Sequence, residues 1–355
     1  MVLTVLNTEF LPVAILDNYE SFIWTDRFRT NGDFELYTSM TDDILSYIKL
    51  GYYIENDLSE HAMIIEKIVI KTDVETGKHI TVSGRSLESI LDRRIVWGQR
   101  TLNGSLQDTL ETLLNECIIS PSNSDRQIDN FKFSASTDDG IVNLTIDTQY
   151  IGDDLLKIVE NACMEHGIGY KVIFEDTSST SKNLVFQLYV GTDRSYDQDE
   201  NGYVVFSPNF DNIINSNYIE SDSSYKNVTL VGGEGDGSDR VYVTVGSGSG
   251  LDRREVFTDA KSISSKSDDT TLSESEYAAL LVQKGNETLS EQIVVTSFEG
   301  ETETTQMFKY GEDFFIGDIV QIADEYGHET KARIIEMVIS HSEEGFSVYP
   351  TFETV

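Results

Sequence analysis

The chain has 355 residues, 39% hydrophobic and 10% aromatic, with only 4 Pro and 25 Gly; this describes a folded protein large enough for two or three cores and excludes a low-complexity chain. It carries 62 Asp and Glu against 26 Lys and Arg, a net charge of −36. Such a surface repels phosphate, which argues against tight nucleic-acid binding, and its plainest use is solubility.

The opening segment, residues 1–22, lacks a basic start and carries Asn, Glu, Pro and Asp within its apolar stretch, so it does not read as a signal peptide. No run approaches the roughly 18 apolar residues of a membrane span, and no membrane insertion is expected. The chain is expected to be made in the cytoplasm and to be soluble there. "SFIWTDRF" and "GDFELYT" alternate apolar and polar positions, with a hairpin signal at Asn31-Gly32 between them. A short helix follows, with Thr41 as its cap and Ile44, Leu45 and Ile48 on one face. "AMIIEKIVIKTD" and "HITVSG" pair as antiparallel strands around the turn "VETGK", and "RSLESIL" closes the unit with one or two helical turns.

The middle of the chain changes character. Leu106, Leu110, Leu113, Leu114 and Cys117 follow helical spacing behind a Ser105 cap. Leu155, Leu156, Val159, Ala162 and Cys163 repeat the device, with Gly167 as the stop. The two cysteines therefore read as core residues, not as a disulfide, and the two helices as core of this unit. Strands "IGYKVIFE" and "NLVFQLYV" complete a small α+β unit. From about residue 222 strands return in "YKNVTLVGG", "DRVYVTVG" and "REVFTDA". A helix interrupts them behind a capping box at Ser273 and Glu276, with Tyr277, Leu280 and Leu281 as its apolar face. The last segment reads as short strands and turns of a small barrel. The fold class is α+β, mainly β.

The glycine-rich "VGGEGDGSDR" leads into a strand rather than a helix, lacks a P-loop Lys, and carries Glu234 and Asp236, which would repel phosphate. It reads as a tight connection and implies no cofactor. Asp197, Asp199, Asn201 and Gly202 match half of a calcium loop, but Pro208 stands where the bidentate Glu belongs. A truncated calcium loop and a polar hairpin turn are the two readings of that stretch. Five histidines (His61, His79, His166, His328, His341) are scattered without metal-ligand spacing. No hydrolase motif is present, and 62 carboxylates cannot be narrowed to a catalytic pair. Nothing local marks an enzyme.

"YESFIWTDRFRTNGDFEL", "VSGRSLESILDRRIVWG", "KNVTLVGGEGDGSDR", "LDRREVFTDA" and "YGEDFFIGDIVQI" occur in this order. Together they resemble the tail-hub proteins of long-tailed phages, prophages and phage-tail-like bacteriocins, over nearly the whole chain. The resemblance implies two tube-type, barrel-like β domains, with an α+β insertion domain and a smaller helical insertion. In this sequence these would be residues 1–98, 99–221 and 222–355, the last with its helical insertion at about 262–306. It implies a homotrimer whose six β domains form a pseudo-hexameric ring around a channel for DNA. A tail tube or distal tail protein would lie above it, and a tip, fibre or lytic protein below. The expected location is the tail tip or baseplate of a virion. Longer relatives continue into a peptidoglycan hydrolase or a fibre; this sequence shows neither, so any enzyme is expected on another chain.

Interfaces are expected at backbone ladders and apolar edges of the β units, and at Arg85, Arg93 and Arg94, since few Arg in an acidic chain are suited to bridging subunits. The alternative for those three is a local salt bridge on a solvated helix. The acidity gains a use as a lumen along which DNA slides. The competing functions are a tail-associated cell-wall hydrolase and a host-surface carbohydrate-binding module, for which the exposed aromatics cannot be separated from core Phe and Tyr in sequence.

Overall fold

The structure is a computed structural model and describes residues 2–41, 43–75, 77–178, 181–267, 270–301, 307–323, 329–343 and 345–355. Its largest element is a 13-stranded sheet. The path of that sheet runs through Ile214–Ser221, Val295–Glu301, Gly345–Thr354, Glu329–Ser342, Ser21–Arg27, Asp33–Ser39, Gly77–Ser86, Ala62–Asp73, Tyr53–Asn56, Leu3–Leu6 and Pro12–Leu16. Val205–Phe206 and Ile319–Ala323 branch from it. The first and last parts of the chain thus share one sheet, joined where Glu336 to Ser342 pairs with Arg27 to Ser21. Among the described residues the outermost strands pair on one side only, so the sheet is open.

Alternation builds the first core. Phe22 and Trp24 point inward while Ile23 is exposed, and Phe34 and Leu36 flank an outward Glu35. They meet Leu3, Val5, Ile54, Ile80 and Val82, so strands from both ends of this stretch curl around one interior. Each large side chain buried there contributes about 1.5–3 kcal/mol. A second core gathers Phe28, Phe206, Phe298, Phe314 and Phe352. Strand Glu329–Ser342 serves both, sending Ile339 into the first and Ile334 and Met337 into the second. A bulge between Ile334 and Glu336 lies along that strand, and a bulge bends a strand and sharpens its twist.

Two local expectations change. Ser21–Arg27 and Asp33–Ser39 do form a hairpin, but their ladder ends at Thr25 and Asp33, so residues 26–32 separate the last pair and the connection is not a two-residue Asn31-Gly32 turn. Gly32 is needed for close packing: a Cβ would collide with the Thr25 carbonyl oxygen, and its N–H donates to Ser86 Oγ at 2.7 Å. The expected helix is a single turn, Ile44–Tyr47, with Asp43 at its N-cap in place of Thr41. Ile44 and Ile48 are buried, whereas Leu45 is exposed because one turn cannot cover a third position.

The middle unit holds helices Leu106–Leu114 and Leu155–His166. Ser105 Oγ accepts from the Asp108 N–H, Asp154 caps the second helix, and Gly167 ends it at φ +66°. Strands Gly169–Ser178, Ser181–Tyr189 and Phe131–Ser134 form a sheet on this helical layer. The core includes both buried cysteines and takes in Ala62, Ile64, Leu87 and Leu91, so it is continuous with the first unit.

Among the described residues, strands Tyr242–Gly246, Val228–Gly232 and Glu255–Asp259 pair only with one another, not with the last strands of the chain. Helix Glu274–Ser290 covers one face of this small sheet, with Tyr277, Leu280 and Leu281 against Val231 and Val245. Its capping box of Ser273 and Glu276 is formed as expected. Residues 268, 269 and 302–306 of the expected helical insertion lie outside the described residues.

Candidate assembly surface

The two ends of the large sheet present backbone edges. On Pro12–Leu16, Val13 and Ile15 are exposed, Ile15 to 68%; on Ile214–Ser221, Tyr218 and Ile219 are exposed. Unpaired edges with apolar side chains are templates for another strand. They lie at opposite ends of one hydrogen-bonded path.

The arginine candidates part company. Arg85 is held by both Glu66 oxygens at 2.9 Å and by Asp92 at 3.0 Å, so its charge is answered within the chain. Arg94 donates to the Arg126 carbonyl at 2.9 Å and to the Arg93 carbonyl at 2.8 Å; Arg93 is exposed. The structure brings Arg126 beside these two, which sequence separation had hidden. Trp97, within the quoted "RRIVWG", was the available signal: it is 52% exposed, and the Arg126 guanidinium lies 4.2 Å from its ring centroid.

The glycine-rich connection packs against helix Glu274–Ser290. A Cβ on Gly233 would collide with the Tyr277 hydroxyl, which accepts from the Glu234 N–H at 2.7 Å and donates to the Ile263 carbonyl at 3.1 Å. Gly235 has φ +98°, a conformation glycine supplies freely. The Glu234 carboxylate accepts from the Ser265 N–H and hydroxyl, and Asp236 pairs with Lys261. Both carboxylates therefore brace the loop.

In the 197–202 loop, Asp197 stands 3.2 Å from Lys331 Nζ, Asp199 accepts from the Tyr203 hydroxyl at 3.0 Å, and Asn201 Nδ2 donates to the Asp193 carbonyl. Each polar side chain has a separate protein partner. Among the described residues no group of three His, Cys, Asp or Glu is placed to hold a metal ion. His61 pairs with Glu88, His79 stands 3.3 Å from Glu20, and His341 packs edge-on against Tyr19. His328 lies outside the described residues.

A cleft of about 310 Å³ opens between helices Leu155–His166 and Glu274–Ser290, lined in part by Tyr150, Asp153, Asn161, Lys284 and Glu287. Burial, and then the Glu287 charge, push the neighbouring Glu165 carboxyl up to about 7 against the opposing hydrogen bond from Gln283. Glu287 in turn pairs with Lys284 at 2.7 Å. The acids thus sit in the seam between two packed helices. No helix of the described residues is long and apolar enough to cross a membrane.

The model of a family described as Siphovirus ReqiPepy6 Gp37-like protein matches residues 2–352. No curated protein matches the chain. Among solved structures, the prophage MuSo2 43 kDa tail protein from Shewanella oneidensis is 14% identical at a TM-score of 0.59, over 99% of this chain and 98% of that one. The tail protein from Neisseria meningitidis MC58 is 10% identical at 0.59, over 99% and 96%. Prophage tail protein gp18 from Listeria monocytogenes EGD-e is 10% identical at 0.54, over 99% and 94%. At these identities the likeness is one of fold, and it extends over the whole chain.

Proposed function

The chain belongs to the Siphovirus ReqiPepy6 Gp37-like protein family and has the fold of prophage tail proteins, and from that premise we propose that it is the structural hub of a phage tail tip or baseplate. Three copies form a pseudo-hexameric ring from their two barrel-like β units each. The ring joins a tail tube or distal tail protein above to a tip, fibre or lytic protein below, and leaves a channel for DNA.

One observation carries this reading: a single sheet gathers the first and last strands of the chain and is open, with apolar side chains, at both ends. A head-to-tail contact between unlike edges generates a ring when the rotation closes. The net charge of −36 supports a lumen that does not retain DNA. The boundaries near residues 98 and 221 belong to the same proposal.

The reading assigns no catalysis. A hydrolase would need a free pair of carboxylates across a substrate cleft, whereas Glu165 and Glu287 are engaged by Gln283 and Lys284 within a helix seam. Light scattering of the purified chain tests the hub. A mass near three times 39.9 kDa is expected, and a protein that stays monomeric at every concentration and salt tried counts against a self-assembling ring.

A further inference from the structure

Arg93, Arg94 and Arg126 differ from the other arginines. Of the remaining nine, eight reach a carboxylate at ion-pair distance. The ninth, Arg333, is buried and donates to the Gly317 carbonyl at 2.7 Å. Among the described residues, Arg93, Arg94 and Arg126 form no such pair, in a chain with 62 acidic residues. Two of them are nevertheless fixed in place. Arg94 Nε donates to the Arg126 carbonyl, and Arg126 Nη2 donates to the Ile95 carbonyl at 2.6 Å while its guanidinium covers Trp97. Hydrogen bonds to carbonyls hold a guanidinium without cancelling its charge. Burial first, then the charges of Arg126 and Arg93, push Arg94 below its usual range, which places the three charges within one another's reach.

Trp97 and Ile95 are about half exposed beside this cluster. Rigid Trp and Arg side chains are the residues that dominate binding energy at protein interfaces. Gathering like charges is unfavourable in the isolated chain and becomes favourable when an anion meets them. Nucleic acid is a poor occupant, since the surrounding molecule carries −36. A second copy of this chain is a good one, because it carries 62 Asp and Glu against 26 Lys and Arg.

We propose that Arg93, Arg94 and Arg126, with Trp97 and Ile95, form the patch by which one copy holds an acidic face of its neighbour. The proposal rests on the ring reading above and gives that ring a defined contact. Arg85 is outside it, because Glu66 and Asp92 already satisfy it.

The test is sedimentation velocity on the full chain at about 0.05 and 0.5 M salt, where the screening length falls several-fold. The variants are Arg93→Glu, Trp97→Ala and, as a control, Arg85→Ala. Arg93 has no side-chain hydrogen bond among those described, so its replacement spares the fold; near-UV circular dichroism checks this, and Trp97→Phe provides a second, milder variant. The expected result is a trimer that loosens with salt, weakened about tenfold or more by Arg93→Glu and Trp97→Ala and unchanged by Arg85→Ala. Trimers unaltered by Arg93→Glu and Trp97→Ala overturn the patch and leave the ring standing. A monomeric wild type overturns the self-assembling ring, and the patch with it. Retention of a DNA duplex by wild type that Arg93→Glu abolishes, with the trimer intact, reassigns the patch to nucleic acid and also overturns the proposal.

Discussion

His61 Nδ1 lies 3.0 Å from Glu88 Oε1, and the same oxygen accepts from the Val172 N–H at 2.9 Å, so one buried ion pair ties the first β unit to the strand Gly169–Ser178. Burial alone would lower the imidazole; the charge and hydrogen bond of Glu88, with Asp26 and Glu60 behind, raise it instead to about 9. Burial would raise Glu88, but the charge and hydrogen bond of His61, joined by hydrogen bonds from Ser86 and the Val172 N–H, lower it instead.

The sign of the pH dependence follows. A base with a raised folded-state pKa stabilises fully below its unfolded value near 6.5 and loses that contribution as pH climbs through about 9. Glu88, lowered in the fold, contributes above about 4.5 and loses its share in acid. Urea midpoints should therefore fall between pH 6.5 and 9. His61→Ala should cost about 3–5 kcal/mol by leaving Glu88 buried and unpaired. A midpoint that is flat over this interval in wild type, or a neutral substitution, would remove the ion pair from the account.

Glu165 has the opposite consequence. Its carboxyl, raised to about 7, is favoured in the protonated form, so stability declines as pH rises from about 4.5 through 7. Glu165→Gln mimics the protonated form and keeps a partner for Gln283. It should raise stability above pH 7 by on the order of 1 kcal/mol, discounted for the partial exposure of the site, and leave it unchanged near pH 4. Thermal melts at the two pH values decide this; equal effects at both would show that the charge is not involved.

Asp26 is buried between two donors: Trp24 Nε1 at 2.7 Å and the Tyr310 hydroxyl at 2.8 Å. Tyr310→Phe removes one donor and leaves Asp26 Oδ2 without it, which should cost about 1–3 kcal/mol. The double variant with Asp26→Asn should show coupling between the two changes in a denaturation cycle; strict additivity would mean that the hydrogen bond carries no energy.

Gly233→Ala should unseat the Tyr277 hydroxyl from the Glu234 N–H and the Ile263 carbonyl and destabilise the small sheet by about 1–3 kcal/mol. Gly202→Ala, where a Cβ meets open space, is the matched control. Hydrogen exchange at residues 228–232 and 242–246 reports the difference; equal protection in both variants would contradict the packing described.

Much of the local structure was legible from periodicity. Leu110, Leu113 and Cys117, and Val159 and Cys163, are buried where helical spacing put them, because a 3.6-residue period and a cap are written in adjacent residues. Ser273 and Glu276 form their box for the same reason. What could not be read were relations across the chain. Nothing local places Ile339 in the core of Phe22 and Trp24, or the strands of residues 228–259 in a sheet of their own. The arginine cluster shows both sides: Arg93 and Arg94 stood out as neighbours in an acidic sequence, while Arg126 joins them only through the packing of the middle unit. Asn31-Gly32 misled because the dipeptide signals a tight turn, whereas here Gly32 relieves a clash with Thr25.

The ladder between Glu329–Ser342 and Ser21–Arg27 bears on how the protein is made. Arg27 and Glu336, 309 positions apart, form an ion pair across it, and Ile339 fills a place in the first core. Residues 3–86 therefore leave the ribosome long before the strand that completes their sheet has been translated. A ladder of such sequence separation forms slowly. Until it does, Ser21–Arg27 offers its backbone to any passing strand, which is the kind of intermediate that aggregates. The strong negative charge, spread over the nascent chain, then acts before any tail exists, by keeping unfinished copies apart.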